Sequence, residues 1–157
     1  MSNTSSAVES RLQELGLRVP EVVPPVAAYQ PAVVADSVVY ISGQLPFVDG
    51  ELPAQGKVGA EVSPEQAYEL ARQCALNCIG ALKHAVGDLD SVTRIVKVGG
   101  FVSSAPDFTA QPKVLNGASE LIGHAFGDAG LHARSAVGVA VLPLDTPVEV
   151  DLSAHVR

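Results

Sequence analysis

The chain predicts an α+β fold in which one β-sheet is backed by two helices. Three observations predict it. Apolar residues recur at helical spacing from about Pro64 to Val86 and again from near Pro112 to Ala125. Segments around and between these stretches alternate with period two, which gives the order ββαβαββ. Two helices cover only one face of such a sheet, so the other face needs a partner, and a second copy of the chain supplies one most simply.

The first element is a short amphipathic helix over residues 6–15. Ser6 and Glu9 have the spacing of a capping box, Val8, Leu12 and Leu15 share a face, and Gly16 ends it. A connector with Pro20, Pro24 and Pro25 follows, extended rather than helical. Residues 1–21 therefore read as an N-terminal arm laid against a domain of residues 22–157. Two strands, roughly Tyr29–Ala35 and Val38–Ser42, flank an Asp36-Ser37 turn. After Gly43 a Gly- and Pro-containing segment runs to about Val62, with a turn at Asp49-Gly50, and reads as an ordinary long connection ahead of the alternative, a lid or rim.

The long helix starts at Ser63, a good N-cap, with Pro64 in the first helical position and Gln66 at capping-box spacing. Its stripe is Ala67, Leu70, Ala71, Cys74, Ala75, Cys78 and Leu82, and Gly87 closes it. A strand from about Val92 to Val102 comes next, where Gly99-Gly100 implies a bulge or a close backbone approach. The second helix buries Val114, Ala118, Leu121, Ile122 and Ala125, despite the helix-weakening pair Asn116-Gly117.

The terminal stretch reads as a hairpin turning near Leu144 and Asp145. Ala140 then lies opposite Glu149, and Arg134 opposite His155. Ser135, Val137, Val139 and Val141 would share a core face with Val148, Val150, Leu152 and Val156. Arg134, Ala136, Gly138 and Ala140 would share the open face with Glu149, Asp151, Ser153 and His155. A guanidinium among small residues is a natural fork for a carboxylate. In this register Arg134 and Glu149 are offset by six residues, about 20 Å along a strand, so they serve one pocket only across a subunit boundary.

A chain of 157 residues is long enough for one domain with its own core. No apolar run reaches the length of a membrane span, and the N-terminus has neither a basic nor an apolar signal region. The net charge of −7 and scattered Lys and Arg count against nucleic-acid binding, and the absence of Trp counts against a base-stacking platform. Two cysteines without a disulfide framework fit a reducing compartment, most simply the cytoplasm. Cys74 and Cys78 lie within the apolar stripe and read as core, so no metal site is expected. His84, His124 and His132 are isolated in sequence, while His155 is the one histidine placed with Arg134. Gly56-Lys57-Val58-Gly59 lacks the spacing of a phosphate loop.

Several short motifs carry a family resemblance. They are Tyr29, Ile41-Ser42-Gly43-Gln44-Leu45-Pro46, Asp107-Phe108, Asn116, Ala133-Arg134-Ser135, Leu142-Pro143 and Val148-Glu149-Val150. In these the chain resembles the RidA/YjgF family of imine/enamine deaminases, also known as L-PSP-type endoribonucleases, over about residues 22–157. The resemblance implies a chorismate-mutase-like sandwich assembled as a homotrimer with ligand sites between subunits, and no cofactor. It implies that Arg134 grips a substrate carboxylate, assisted by the N–H of Gly43, and that Glu149 activates water. Tyr29, Ser42 and Asn116 would shape the pocket, and the N–H of Ala136, where many members carry Cys, would face the ligand. Ala136, three extra residues around Gln111-Pro112-Lys113 and the longer N-terminus mark a divergent branch. The implied reaction is hydrolysis of 2-imino or enamine acids to 2-keto acids and ammonia. The alternatives are a non-catalytic small-carboxylate-binding or regulatory protein on the same scaffold, and a ribonuclease.

Overall fold

A computed structural model describes residues 5–22 and 27–157. Pro24 and Pro25 of the connector lie outside the described residues. The order is α1 (Ala7–Glu14), β1 (Ala32–Ala35), β2 (Val38–Gln44), α2 (Pro64–Val86), β3 (Val92–Ser103), α3 (Gln111–Phe126), β4 (Ala133–Val139) and β5 (Val148–Val156). This is the predicted ββαβαββ order after a short helix.

The five strands form one mixed sheet in the order β1-β2-β5-β3-β4. β1 and β2 make the expected hairpin around Asp36 and Ser37, with Asp36 at φ 53°. The terminal hairpin does not form. β3 lies between β4 and β5, parallel to β4 and antiparallel to β5. The segment Leu142–Pro147 reverses the chain, with Leu144 and Asp145 at positive φ, but carries it across the end of β3 instead of into an adjacent strand.

Both helices pack on one face. Every residue of the predicted α2 stripe is buried, and so are Leu76, Ile79, Gly80 and Ala81, because α2 is covered on more than one side. At Gly80 the connector crosses so closely that an added Cβ would lie 2.6 Å from the Pro20 carbonyl oxygen. Ser63 Oγ caps the helix by accepting from the Gln66 N–H at 3.1 Å. The Cys74 and Cys78 thiols point into the core toward the Val148 and Val150 carbonyls, and burial raises both pKa values.

In α3 the Asn116-Gly117 pair has two separate explanations. Gly117 permits α2 and α3 to approach, since a Cβ there would meet the Tyr68 carbonyl oxygen at 2.1 Å. Asn116 faces β4. Gly99 and Gly100 are also sites of close approach, to the Asp151 carboxylate and the Leu115 side chain, while the two register shifts between β3 and β5 fall earlier, between Val92 and Arg94 and between Ile95 and Lys97.

A helix of eight residues is too short to persist alone in water. α1 holds because Leu12 and Val8 are buried, a Leu alone contributing about 2 kcal/mol. Its free N–H groups are met by the Ser6–Glu9 capping box and by Asp90, which accepts from Ala7 and Val8. Glu9 also pairs with Lys83 of α2. The segment after β2 is pinned to the far end of the sheet: Val58 is fully buried and bonded to Ser103, and Gly56 donates to Asp145. Asp49 and Gly50 form the expected turn, both at positive φ, between the paired Val48 and Glu51.

Candidate functional site

Register assigns each site residue to a face. Arg134, Val98 and Leu152 are aligned across β4, β3 and β5, as are Ala136, Gly100 and Val150. Val98, Leu152 and Val150 are buried, so Arg134 and Ala136 lie on the helix-backed side. Val137, Phe101 and Glu149 are aligned on the opposite, open side. The expectation that Arg134 and Glu149 share a face is therefore corrected, and Ser135 and Val137 are exposed rather than core. The small residues at 136 and 138 make room for the helix layer: an added Cβ on Gly138 would meet the Gln111 side chain at 2.6 Å.

The Arg134–Glu149 offset is also corrected. Arg134 aligns with Val98 and Glu149 with Phe101, three residues apart on β3, or about 10 Å along the strand. Their own strands are two sheet spacings apart, roughly another 10 Å. Within one chain the two side chains leave opposite faces from distant backbones.

Apart from His155, the site residues singled out in the sequence thus fall into two groups. The first gathers around Glu149. A register shift in β2 between Ile41 and Gln44 presents Ser42 and Gly43 to β5, and Gly43 lies under the Glu149 carboxylate, where a Cβ would sit 2.1 Å from Oε1. Ser42 Oγ donates to the Gln30 carbonyl at 2.6 Å, tying down the residue next to Tyr29, whose ring is exposed. Glu149 is half-buried, and its pKa is raised, first by burial and second by the neighbouring Asp151 carboxylate. Asp151 is itself raised by burial, offset in part by a hydrogen bond from the Gly99 backbone and by Lys97.

The second group surrounds Arg134 at the β4 edge. Arg134 Nη1 donates to Asn116 Oδ1 at 2.9 Å and to Ser119 Oγ at 3.2 Å. Among the described residues its Nε and Nη2 have no protein partner, which leaves two donors of the fork for a carboxylate. Sequence reading missed Ser119 and His132, which join this group through a bond of 2.9 Å between Ser119 Oγ and His132 Nε2. The available signals were Ser119 one helical turn beyond Asn116 and His132 two residues before Arg134.

His155 belongs to neither group. It is exposed at the end of β5 with Nδ1 2.8 Å from Thr93 Oγ1. Among the described residues no cluster of three metal-ligating side chains occurs. Surface grooves of about 350 and 260 Å³ run beside α1 and between α2 and α3, and neither is lined by any residue of the two groups. Among the described residues no helix is long and apolar enough to cross a membrane.

A mixed five-stranded sheet with helices on one face, an Arg at its edge and a Glu on its open face define a class as well as a geometry. The chain belongs to the YjgF/chorismate mutase-like family, whose name also carries a provisional endoribonuclease assignment, with residues 9–156 matching the family model. It is 43% identical over 148 residues to protein TCP17 of Trypanosoma cruzi, covering 94% of this chain and 92% of that one. The Atu1372 protein of Agrobacterium tumefaciens superposes with a TM-score of 0.89 at 40% identity, covering 96% of this chain and 94% of its own. E. coli TdcF, crystallised with bound serine, gives a TM-score of 0.60 at 28% identity over 88% of this chain and 93% of its own. The family match begins within α1.

Proposed function

We propose that this protein is a homotrimeric hydrolase that converts 2-imino and enamine acids to 2-keto acids and ammonia. The observation that carries the reading is the division of the site residues into an Arg134 group and a Glu149 group on opposite faces. Each is half of a site, and a neighbouring subunit laid on the open face brings the Glu149 group of one chain to the Arg134 group of another. Exposed Val33, Tyr40 and Val137 on that face supply apolar surface for the contact.

In the assembled site Arg134 would hold the substrate carboxylate with Nε and Nη2, supported by the N–H of Gly43 and, on the Arg134 side, of Ala136. Glu149 would take a proton from water as the water oxygen bonds to the imine carbon. Glu149 then returns that proton to the carbinolamine nitrogen, the C–N bond breaks to release ammonia, and the hydroxyl proton passes to solvent as the C=O of the keto acid forms. The imine reacts in its protonated form, so attack gives a neutral carbinolamine directly, and that form is electrophilic enough for positioning and one general base to suffice. A carboxylate with a raised pKa is a stronger base than an ordinary one, which suits Glu149 to the task. Tyr29, Ser42 and Asn116 would shape the pocket around the substrate side chain.

The serine bound by TdcF carries a carboxylate and a nitrogen on the adjacent carbon, which supports this ligand class. It also favours a second reading, a non-catalytic binder of small carboxylates on the same scaffold. Cleavage of RNA fits poorly with a net charge of −7. A cytoplasmic placement rests on the two unpaired thiols and is tested by fractionation.

The deciding experiment generates imino acids in situ with an amino-acid oxidase and follows their hydrolysis. Wild type should accelerate it, and Arg134→Ala and Glu149→Ala should each abolish the acceleration. Failure of folded, trimeric wild type to accelerate hydrolysis of either small or bulky imino acids would favour the binding protein.

A further inference from the structure

We infer that Ser119 and His132 are positioning residues that hold the Arg134 guanidinium for its carboxylate; this rests on the proposed role of Arg134. The chain of contacts has one direction. His132 Nδ1 lies 2.6 Å from the Gly130 carbonyl oxygen, which can only accept, so Nδ1 carries the hydrogen. In the neutral ring Nε2 is then an acceptor, and it faces Ser119 Oγ at 2.9 Å. The Ser119 hydroxyl hydrogen therefore points to His132. Its lone pairs are left to face Arg134 Nη1, 3.2 Å away. The order is Arg134 N–H to Ser119 O–H to His132 Nε2, anchored by Nδ1–H on Gly130.

The anchor is rigid. Gly130 is buried against the end of α3, where an added Cβ would meet the Ile122 carbonyl oxygen at 2.6 Å. Asn116 and Ser119 are one helical turn apart on α3 and hold the same guanidinium nitrogen, so that helix and the His132 relay fix one edge of the fork. Arg side chains lose considerable rotamer freedom on binding, and a fork held before the ligand arrives loses less. Core packing does not require this arrangement. Ser119, His132 and Arg134 are each only part-buried, so water could satisfy them separately.

The test measures 2-oxobutanoate binding and imino-acid turnover by the full-length protein. Ser119→Ala, which loses a bond to the guanidinium, and His132→Phe, which frees the Ser119 hydroxyl to turn from it, should weaken binding about tenfold and raise KM to match, with kcat within about twofold, because Glu149 is untouched. Ser119→Thr, which keeps the hydroxyl, should bind as wild type. Nitrogen spectra of the His132 ring should show Nδ1 protonated and Nε2 bare. Wild-type affinity in both Ser119→Ala and His132→Phe, with binding lost in Arg134→Ala, would overturn the relay and leave the role of Arg134 standing. An Nε2–H tautomer would overturn it as well. Wild-type affinity in Arg134→Ala would overturn the role of Arg134 and the relay with it. Should His132→Phe fail to fold, Ser119→Ala and Ser119→Thr decide the matter.

Discussion

Gly43 offers the sharpest separation of activity from stability. In Gly43→Ala the new methyl carbon would lie 2.1 Å from Glu149 Oε1, 2.9 Å from Cδ and 3.3 Å from Cγ. Ordinary contact begins near 3.4 Å, so the carboxylate must retreat by roughly 1.3 Å. A side chain at the end of rotatable bonds can do this at little cost to the fold, and Gly43 is not among the positive-φ residues, so alanine adds no backbone strain there. The catalytic consequence is larger. Misplacement by about 1 Å can cost on the order of 10²-fold in rate, equivalent to roughly 2.7 kcal/mol of barrier. In the oxidase-coupled assay kcat/KM should therefore fall about a hundredfold, with the thermal midpoint and trimer content kept. Gly123→Ala is the control, since a Cβ at Gly123 meets nothing within 4 Å. Activity within about twofold of wild type in Gly43→Ala would refute the placement of the Glu149 carboxylate over Gly43 as the working geometry.

Glu149→Gln should trade activity for stability. The folded-state pKa of Glu149 is raised, so its ionisation disfavours the fold: the stability it contributes is present below the unfolded carboxylate pKa and lost as pH rises through the folded value. The variant should abolish turnover yet unfold at a higher temperature than wild type at neutral pH, with the gain vanishing in acid. For wild type, kcat/KM should fall as pH drops through the raised pKa, with its midpoint above the ordinary carboxylate range. Gly117→Ala drives a methyl to 2.1 Å from the Tyr68 backbone oxygen, and backbone cannot swing away. It should cost about 1–3 kcal/mol in denaturant unfolding, and a neutral result would contradict the tight α2–α3 crossing.

What the sequence made legible follows from the range of the forces involved. Helix periodicity, caps and the Asp36-Ser37 and Asp49-Gly50 turns are local, and α2 runs from Pro64 to Val86 as its spacing predicts. The buried face of β5 was also readable, because Val148, Val150 and Leu152 alternate with polar residues. Alternation along β4 was equally visible, but period two does not say which face is inside. Small residues at 136 and 138 suggested open space, whereas the structure uses them to admit the helix layer. The hairpin failed for a related reason. The Leu142–Pro147 reversal is a local signal, but the insertion of β3 between β4 and β5 comes from pairing across distant parts of the chain. Ser119 and His132 escaped notice because their link to Arg134 runs from α3 to the approach of β4, a tertiary contact with no sequence motif of its own.

The central claim is that Arg134 of one subunit and Glu149 of another complete a single site. Unfolding and refolding an equal mixture of Arg134→Ala and Glu149→Ala chains tests it directly. In randomly assembled trimers about a quarter of the inter-subunit sites receive an intact Arg134 from one chain and an intact Glu149 from the other. The mixture should recover about a quarter of wild-type activity, although each parent is inactive. No recovery in trimers verified to contain both chains would contradict the account.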